Sequence, residues 1–165
     1  LAAIGHWAGV SLTQTWNISI LNDDTIALKI LRKAKDNALL DREQINLMLS
    51  DKYKEWFAHG GVYGKFPERF NEHDGISWDR LWHGDAKVPI GVKKCAFKNN
   101  ILEKQFLPSI LLSASADSQS CCFVVENTDD LFRARILQSE LNSYQNHSNS
   151  FDENKYFEWR IKIIN

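Results

Sequence analysis

Residues 156–164, YFEWRIKII, alternate between apolar and polar side chains over nearly their whole length. The apolar set is Phe157, Trp159, Ile161 and Ile163, and the intervening set is Glu158, Arg160 and Lys162. Because successive side chains of a strand point to opposite faces of a sheet, this pattern predicts a β-strand with one buried face. The fold must therefore contain a sheet.

Further strand patterns occur at residues 14–21, 87–97, 118–126 and 131–137. In the last of these, Phe132, Ala134 and Ile136 alternate with Arg133 and Arg135, which predicts a strand with two arginines on its polar face. Two other segments lack a clear pattern. Residues 101–113 fit a helix or a strand, and residues 139–154 are rich in Asn and Ser, as is typical of a surface loop.

Three segments carry helix signals. Asn22, Asp23 and Asp24 offer capping oxygens before residues 25–36, in which Ile26, Ile30 and Ala34 recur at spacings of four. In residues 41–61, Asp41 and Gln44 resemble a capping box, and Ile45, Leu49 and Tyr53 again recur at spacings of four. A short helix is predicted over residues 78–83, after Ser77 as its cap.

These elements together predict an α+β fold. Helices fill the N-terminal half, and a mixed or antiparallel sheet, open or barrel-like, fills the C-terminal half. At 165 residues, residues 1–165 fit a single domain. The sequence begins at Leu1 and its only methionine is Met48, so we expect a domain excised from a larger protein.

Charge and cysteine content narrow the setting. The formal net charge of −1 gives no general attraction to nucleic acids or membranes, so electrostatic binding requires a local patch. The three cysteines follow no CxxC spacing, which speaks against a disulfide framework and a thiolate zinc site. We therefore expect an intracellular protein with no membrane partner and no cofactor.

The stretch Trp56–Asp85 concentrates the residues that bind ligands. It holds three of the five histidines, three of the six tryptophans and five of the eight glycines. Its glycines and Pro67 predict a long structured loop over residues 60–75, and long loops in compact domains are often binding loops.

The leading hypothesis is a recognition module for nucleic acid, DNA or RNA. Arginine side chains bind phosphate oxygens in a bidentate manner, so Arg133 and Arg135 would form a basic face with Arg160 and Lys162 if their strands were neighbours. Aromatic side chains of the central loop would stack on unpaired bases. The predicted binding residues are Arg133, Arg135, Arg160, Lys162, Lys93, Lys94, Arg69, Trp78, Trp82 and His83.

Two other functional classes remain open from the sequence. One is a metal-assisted hydrolase or nuclease centred on His83 with Asp79 or Asp85, because imidazole and carboxylate groups suit zinc and similar cations. No HxxxH or HxH pair supports it, so no metal ligands are assigned. The other is a protein-interaction domain, which includes contacts with other domains of a parent protein and would use exposed loop aromatics.

Leu81–Gly84, with the sequence LWHG, resembles the tetrapeptide that opens the nicotinamide pocket of poly(ADP-ribose) polymerases. The resemblance implies a ribose contact for His83 and a polarising role for Glu158. Asp85 stands where that family has a small hydroxyl residue, and no glycine-rich tyrosine segment follows. The chain is therefore not assigned to this family.

Overall fold

A computed structural model describes residues 1–7, 12–34, 42–73, 78–99, 103–115, 122–142 and 156–165, and the regular structure in these ranges consists of strands. The strands are β1 (Ala2–Trp7), β2 (Leu12–Ile20), β3 (Thr25–Ala34), β4 (Arg42–Ser50), β5 (Glu55–Ala58), β6 (Val62–Lys65), β7 (Asp79–Asp85), β8 (Ile90–Val92), β9 (Cys95–Asn99), β10 (Glu103–Leu107), β11 (Ser109–Ala114), β12 (Cys122–Asn127), β13 (Ala134–Asn142) and β14 (Tyr156–Ile164).

The strands form two main sheets and a separate hairpin, and all of their described pairings are antiparallel. The large sheet has eight strands in the order β1-β2-β3-β14-β11-β8-β5-β6. The small sheet has four strands in the order β4-β13-β12-β7. Strands β9 and β10 pair only with each other among the described strands.

One hydrophobic core joins the two sheets. Ile30 and Trp159, on adjacent strands of the large sheet, belong to the same buried cluster as Phe123, Val125 and Leu137 of the small sheet. These residues recur at alternate positions along their strands, so each sheet turns one apolar face toward the shared core.

The predicted α+β class is wrong, because the described residues contain no helix. Residues 25–36 were predicted to be helical, yet β3 occupies Thr25–Ala34. Leu28 and Ile30 are buried in the core and Ile26 is half-buried, which is a spacing of two. In the part of the chain that the structure describes, no helix is long and apolar enough to cross a membrane.

The predicted helix over residues 41–61 is also wrong. This segment contains β4, a turn at Asp51 and Lys52, and β5. Leu47 packs against the core, as Ile45 does. These two residues are two apart, which fits one face of a strand, whereas a helix would place them on different faces. Residues 78–83 lie mostly in β7, where Trp82 turns inward and His83 outward, as a strand demands.

The strand predictions in the C-terminal half agree better with the structure. The strand predicted at 156–164 is confirmed as β14, and the segment 101–113 contributes β10 and β11, with Pro108 between them. Residues 87–97 form two strands instead of one, with Lys93 and Lys94 between them. The loop predicted from Ser139 starts too early, because β13 continues to Asn142; residues 143–154 lie outside the described residues.

Candidate functional site

The ten residues predicted to bind nucleic acid lie in five separate places. The predicted basic face does not form, because Arg133 and Arg135 belong to the small sheet and its hairpin, whereas Arg160 and Lys162 lie on β14 of the large sheet. The five places are the β12–β13 hairpin with its neighbouring loop (Arg69, Trp78, Arg133), the interior (Arg135), β14 (Arg160, Lys162), the segment after β8 (Lys93, Lys94) and β7 (Trp82, His83).

Arg135 is an interior residue with 1% of its surface exposed. Its guanidinium donates to the Oδ1 of Asn127 and, at 2.9 Å, to the carbonyl oxygen of Pro67, and it lies 4.6 Å from the ring centre of Phe70. Burial lowers the pKa of Arg135, and the nearby Asp51 carboxylate opposes this shift. Arg135 therefore holds the 67–70 loop on the small sheet and cannot contact a ligand at the surface.

The cations of the large sheet already have acidic partners. Lys162 Nζ lies 3.5 Å from the Oδ2 of Asp23, and Arg160 Nε lies 3.8 Å from the Oε1 of Glu158.

Lys93, in the segment after β8, also has an acidic partner. Its Nζ lies 3.0 Å from Glu55 Oε2 and 5.3 Å from the centre of the Tyr63 ring. Lys94 Nζ lies 5.5 Å from the ring centre of Phe106. Ligand phosphates would have to compete with these acids.

The two aspartates proposed for a hydrolytic site are engaged in structural contacts. The Oδ1 of Asp85 accepts a hydrogen bond from the Lys87 amide at 2.9 Å, and the Oδ1 of Asp79 accepts from Asn71 Nδ2 at 2.7 Å. Trp82 packs against the core and His83 is exposed. Among the described residues, no three His, Cys, Asp or Glu side chains are placed to hold a metal ion.

A second polar cluster lies on the small sheet. Glu126 and Glu140 are each 6% exposed, and the Arg80 guanidinium pairs with both, at 3.3 and 3.1 Å. One arginine thus serves two buried carboxylates on neighbouring strands. Removing one member of such a network leaves an uncompensated buried charge, which destabilises the fold. We therefore assign Arg80, Glu126 and Glu140 a structural role.

The turn between β12 and β13 is organised by Asp129. Its Oδ1 accepts hydrogen bonds from the amides of Leu131 and Phe132, both at 3.1 Å, and its carbonyl oxygen accepts one from the Arg133 amide at 3.0 Å. Thr128 closes the turn, because its Oγ1 accepts from the Ala134 amide at 2.7 Å. The backbone of 131–133 is therefore fixed without any ligand.

The loop that ends at His73 is fastened to this turn. His73 Nδ1 lies 2.6 Å from Asp129 Oδ2, the His73 amide donates to Asp130 Oδ1 at 2.9 Å, and the Asp130 amide donates to the carbonyl oxygen of Asn71 at 2.9 Å. Burial raises the pKa of the Asp129 carboxyl, but hydrogen bonds from His73, Phe132 and Leu131 outweigh it and lower the pKa below its usual value. Asp129 is therefore ionised at neutral pH.

Aromatic rings gather on this fastened turn. The Phe132 ring, in a residue that is 51% exposed, meets the Trp78 ring at 5.7 Å and 73° and the His73 ring at 6.5 Å and 72°. Both angles are those of edge-to-face contacts. With its flanking residues this surface is called the hairpin-tip cluster. Its members are Arg69, Phe70, His73, Trp78, Leu131, Phe132 and Arg133.

Arg133 has an unusual backbone. Its φ is 49°, in the left-handed region that favours glycine, and its guanidinium carbon lies 5.2 Å from the ring centre of Phe70. Among the described residues, no carboxylate lies within ion-pair distance of Arg133 or of the exposed Arg69. In the part of the chain that the structure describes, the hairpin-tip cluster thus combines two arginines without acidic partners with an exposed aromatic residue, Phe132.

The sequence predicted Arg69, Trp78 and Arg133 as binding residues but did not indicate His73, Asp129 and Phe132 as their neighbours. His73 and Asp129 are 56 residues apart, and no local pattern links them. The consecutive Asp129 and Asp130 are typical of a turn, which is the one local signal for this region.

Comparisons with known proteins give no identification. No protein-family model, no curated protein and no solved structure matches the chain. The specific expectation of DNA binding therefore receives no support from relatives. Any function must be argued from the residues themselves.

Proposed function

We propose that this chain is an intracellular recognition module that binds nucleic acid through the hairpin-tip cluster. The observation that carries the proposal is Arg133, which occupies a left-handed backbone conformation, stacks on Phe70 and has no acidic partner among the described residues. Outliers of this kind cluster at binding sites, because the surrounding structure must hold them in place. The half-buried free thiols of Cys95 and Cys122 suit a reducing compartment.

Two arginine side chains of the tip are available to an anionic ligand. Asp129 accepts from His73 and from two backbone amides, and Asp130 accepts from the His73 amide. Both carboxylates thus accept hydrogen bonds within the protein, whereas no carboxylate of the described residues pairs with Arg133 or Arg69. An arginine that forms no ion pair within the protein can give both edges of its guanidinium to a phosphate.

Three of the other predicted cations are weaker candidates. Lys93, Arg160 and Lys162 each lie within 4.0 Å of a carboxylate oxygen, so phosphate binding would require breaking or sharing an ion pair. An exposed pair of this type is worth only about 0–1 kcal/mol, but a ligand must still overcome it. We therefore assign direct phosphate contact to Arg69 and Arg133 first.

The test is a salt titration of binding to a mixed-sequence single-stranded oligonucleotide. Two variants that each remove two positive charges are compared: Arg69→Ala with Arg133→Ala at the tip, and Arg160→Ala with Lys162→Ala on β14. For single strands the slope of log affinity against log salt is about 0.7 for each phosphate contact. The tip variant is expected to reduce the slope by about 1.4, whereas the β14 variant leaves it nearly unchanged.

Equal losses in the two variants would mean that binding is diffuse and not centred on the tip. An unchanged slope in the tip variant would refute the assignment of Arg69 and Arg133. Thermal unfolding of both variants checks that the comparison is made between folded proteins.

A protein partner is the second candidate, and Leu131 favours it. This side chain is 64% exposed beside Phe132, and exposed apolar residues on a rigid turn are typical of interaction surfaces. Such binding would depend weakly on salt and strongly on Leu131→Ser. Nucleic-acid binding would show the reverse dependence.

A further inference from the structure

We infer that Phe132 forms a stacking subsite for one unpaired base, next to the phosphate contact made by Arg133. The inference rests on the proposed function and specifies its ligand as single-stranded nucleic acid. It follows from three features of the tip: the exposure of the Phe132 ring, its fixed backbone and its position directly before Arg133.

About half of the surface of residue Phe132 is accessible to a ligand. It lies nearly perpendicular to both aromatic neighbours, with interplanar angles of 73° to Trp78 and 72° to His73. Neither neighbour therefore stacks on it in parallel, and Phe132 remains 51% exposed. Every nucleobase has a flat π-face, so an open phenyl ring accepts any base by stacking.

The ring is also held in position before any ligand binds. The Phe132 amide donates to Asp129 Oδ1 at 3.1 Å, and the same carboxylate holds His73 through its other oxygen at 2.6 Å. The packing of Trp78 and His73 against the ring limits its side-chain rotamers. Binding therefore loses little side-chain entropy, which is the advantage of a preorganised site.

The order of residues suits a single strand. Phe132 contacts His73 and Arg133 contacts Phe70, so both side chains lie against the same short loop, and a base on the ring would bring its own or the next phosphate toward the guanidinium. In a duplex, neighbouring base pairs already cover each base face, and stacking on Phe132 would require a base to leave the helix. The site should therefore discriminate against duplexes.

The experiment measures binding of three ligands of equal length: a single strand, the same strand with a run of abasic sites, and a blunt duplex. The protein variants are Phe132→Leu, which keeps an apolar side chain without a π-face, and Phe106→Leu as a control. Phe106 is 55% exposed beside Lys94, so the control removes an equally exposed ring next to a cation.

Wild-type protein is expected to bind the intact strand about 10-fold more tightly than the abasic strand or the duplex, the loss of one stacked base. Phe132→Leu is expected to lower affinity for the intact strand by a similar factor and to leave the abasic strand unaffected. Phe106→Leu is expected to behave like wild type with all three ligands.

Equal affinity of wild-type protein for the intact and abasic strands would overturn the stacking subsite. So would a Phe132→Leu variant that binds the intact strand normally. If salt-dependent binding that requires Arg133 persists in either case, the proposed function stands without the subsite. If wild-type protein binds none of the three ligands at low salt, both proposals fail.

Discussion

Replacing Arg133 with glycine should separate ligand binding from stability. A side chain in the left-handed backbone region costs about 1–2 kcal/mol, which glycine avoids. Glycine in turn loses about 0.5–1 kcal/mol through its greater freedom in the unfolded chain. Because Arg133 has a φ of 49°, Arg133→Gly should be more stable than Arg133→Ala by about 0.5–1 kcal/mol.

The stability of both Arg133 variants relative to wild type includes one further contribution. Both variants lose the contact between the Arg133 guanidinium and the Phe70 ring, 5.2 Å apart. At an exposed site such a contact is worth about 0.5–1 kcal/mol, which offsets the backbone relief in the glycine variant. Arg133→Gly should thus match wild type to within about 1 kcal/mol.

Binding should respond quite differently. A charge-assisted hydrogen bond contributes about 1.5–3 kcal/mol, so losing the phosphate contact should weaken binding roughly 10- to 100-fold in both variants. Urea unfolding followed by circular dichroism gives the stabilities, and fluorescence anisotropy of a labelled oligonucleotide gives the affinities. A glycine variant that binds like wild type, or one no more stable than the alanine variant, would refute the reasoning.

Three further predictions concern the interior. Arg135→Ala should destabilise the fold by about 3 kcal/mol or more in urea unfolding, because it leaves a cavity and unpaired acceptors where Arg135 is 1% exposed. Gly91→Ala should cost about 1–3 kcal/mol by thermal unfolding, since its Cβ would lie 2.2 Å from the Ile110 carbonyl oxygen. Burial raises the pKa of Tyr53 to about 12, so wild-type stability should fall as pH rises from 10.0 to about 12, where only the unfolded state readily ionises. Tyr53→Phe should lose the 2.7 Å hydrogen bond to the Pro108 carbonyl oxygen and show a shallower fall in stability over that range than wild type.

The strand β3 shows why the sequence misled the prediction of fold class. Ile26 and Ile30 are four residues apart, and a spacing of four fits both one face of a helix and one face of a strand. Leu28 decides between them, because it lies on the buried face only in a strand. The same ambiguity applies to Ile45 and Leu49 on β4. Tertiary pairing with long-range partners then outweighs the helix signals of the flanking Asp and Gln residues.

The two arginines of the hairpin show that the sequence pattern also misleads about which side chains are exposed. Arg133 and Arg135 are two residues apart, so a continuous strand would place both on one exposed face. The strand begins only at Ala134, and Arg133 belongs to the turn with its positive φ. Residues 134–140 of β13 are all buried, so Arg135 lies inside the protein. The alternating pattern predicts that the two arginines share an exposed face. The position of the turn decides which of them reaches the solvent.

Phe70 links the buried arginine to the exposed one. Its ring centre lies 4.6 Å from the guanidinium carbon of Arg135 and 5.2 Å from that of Arg133. Arg135 also holds the carbonyl oxygen of Pro67 at 2.9 Å, so it fixes the loop that carries the ring. The surface position of Arg133 therefore depends on an interior contact that no ligand touches. The position of the hairpin-tip cluster for this reason depends on the interior of the small sheet. A substitution of Arg135 should therefore displace Phe70 and, with it, the Arg133 side chain.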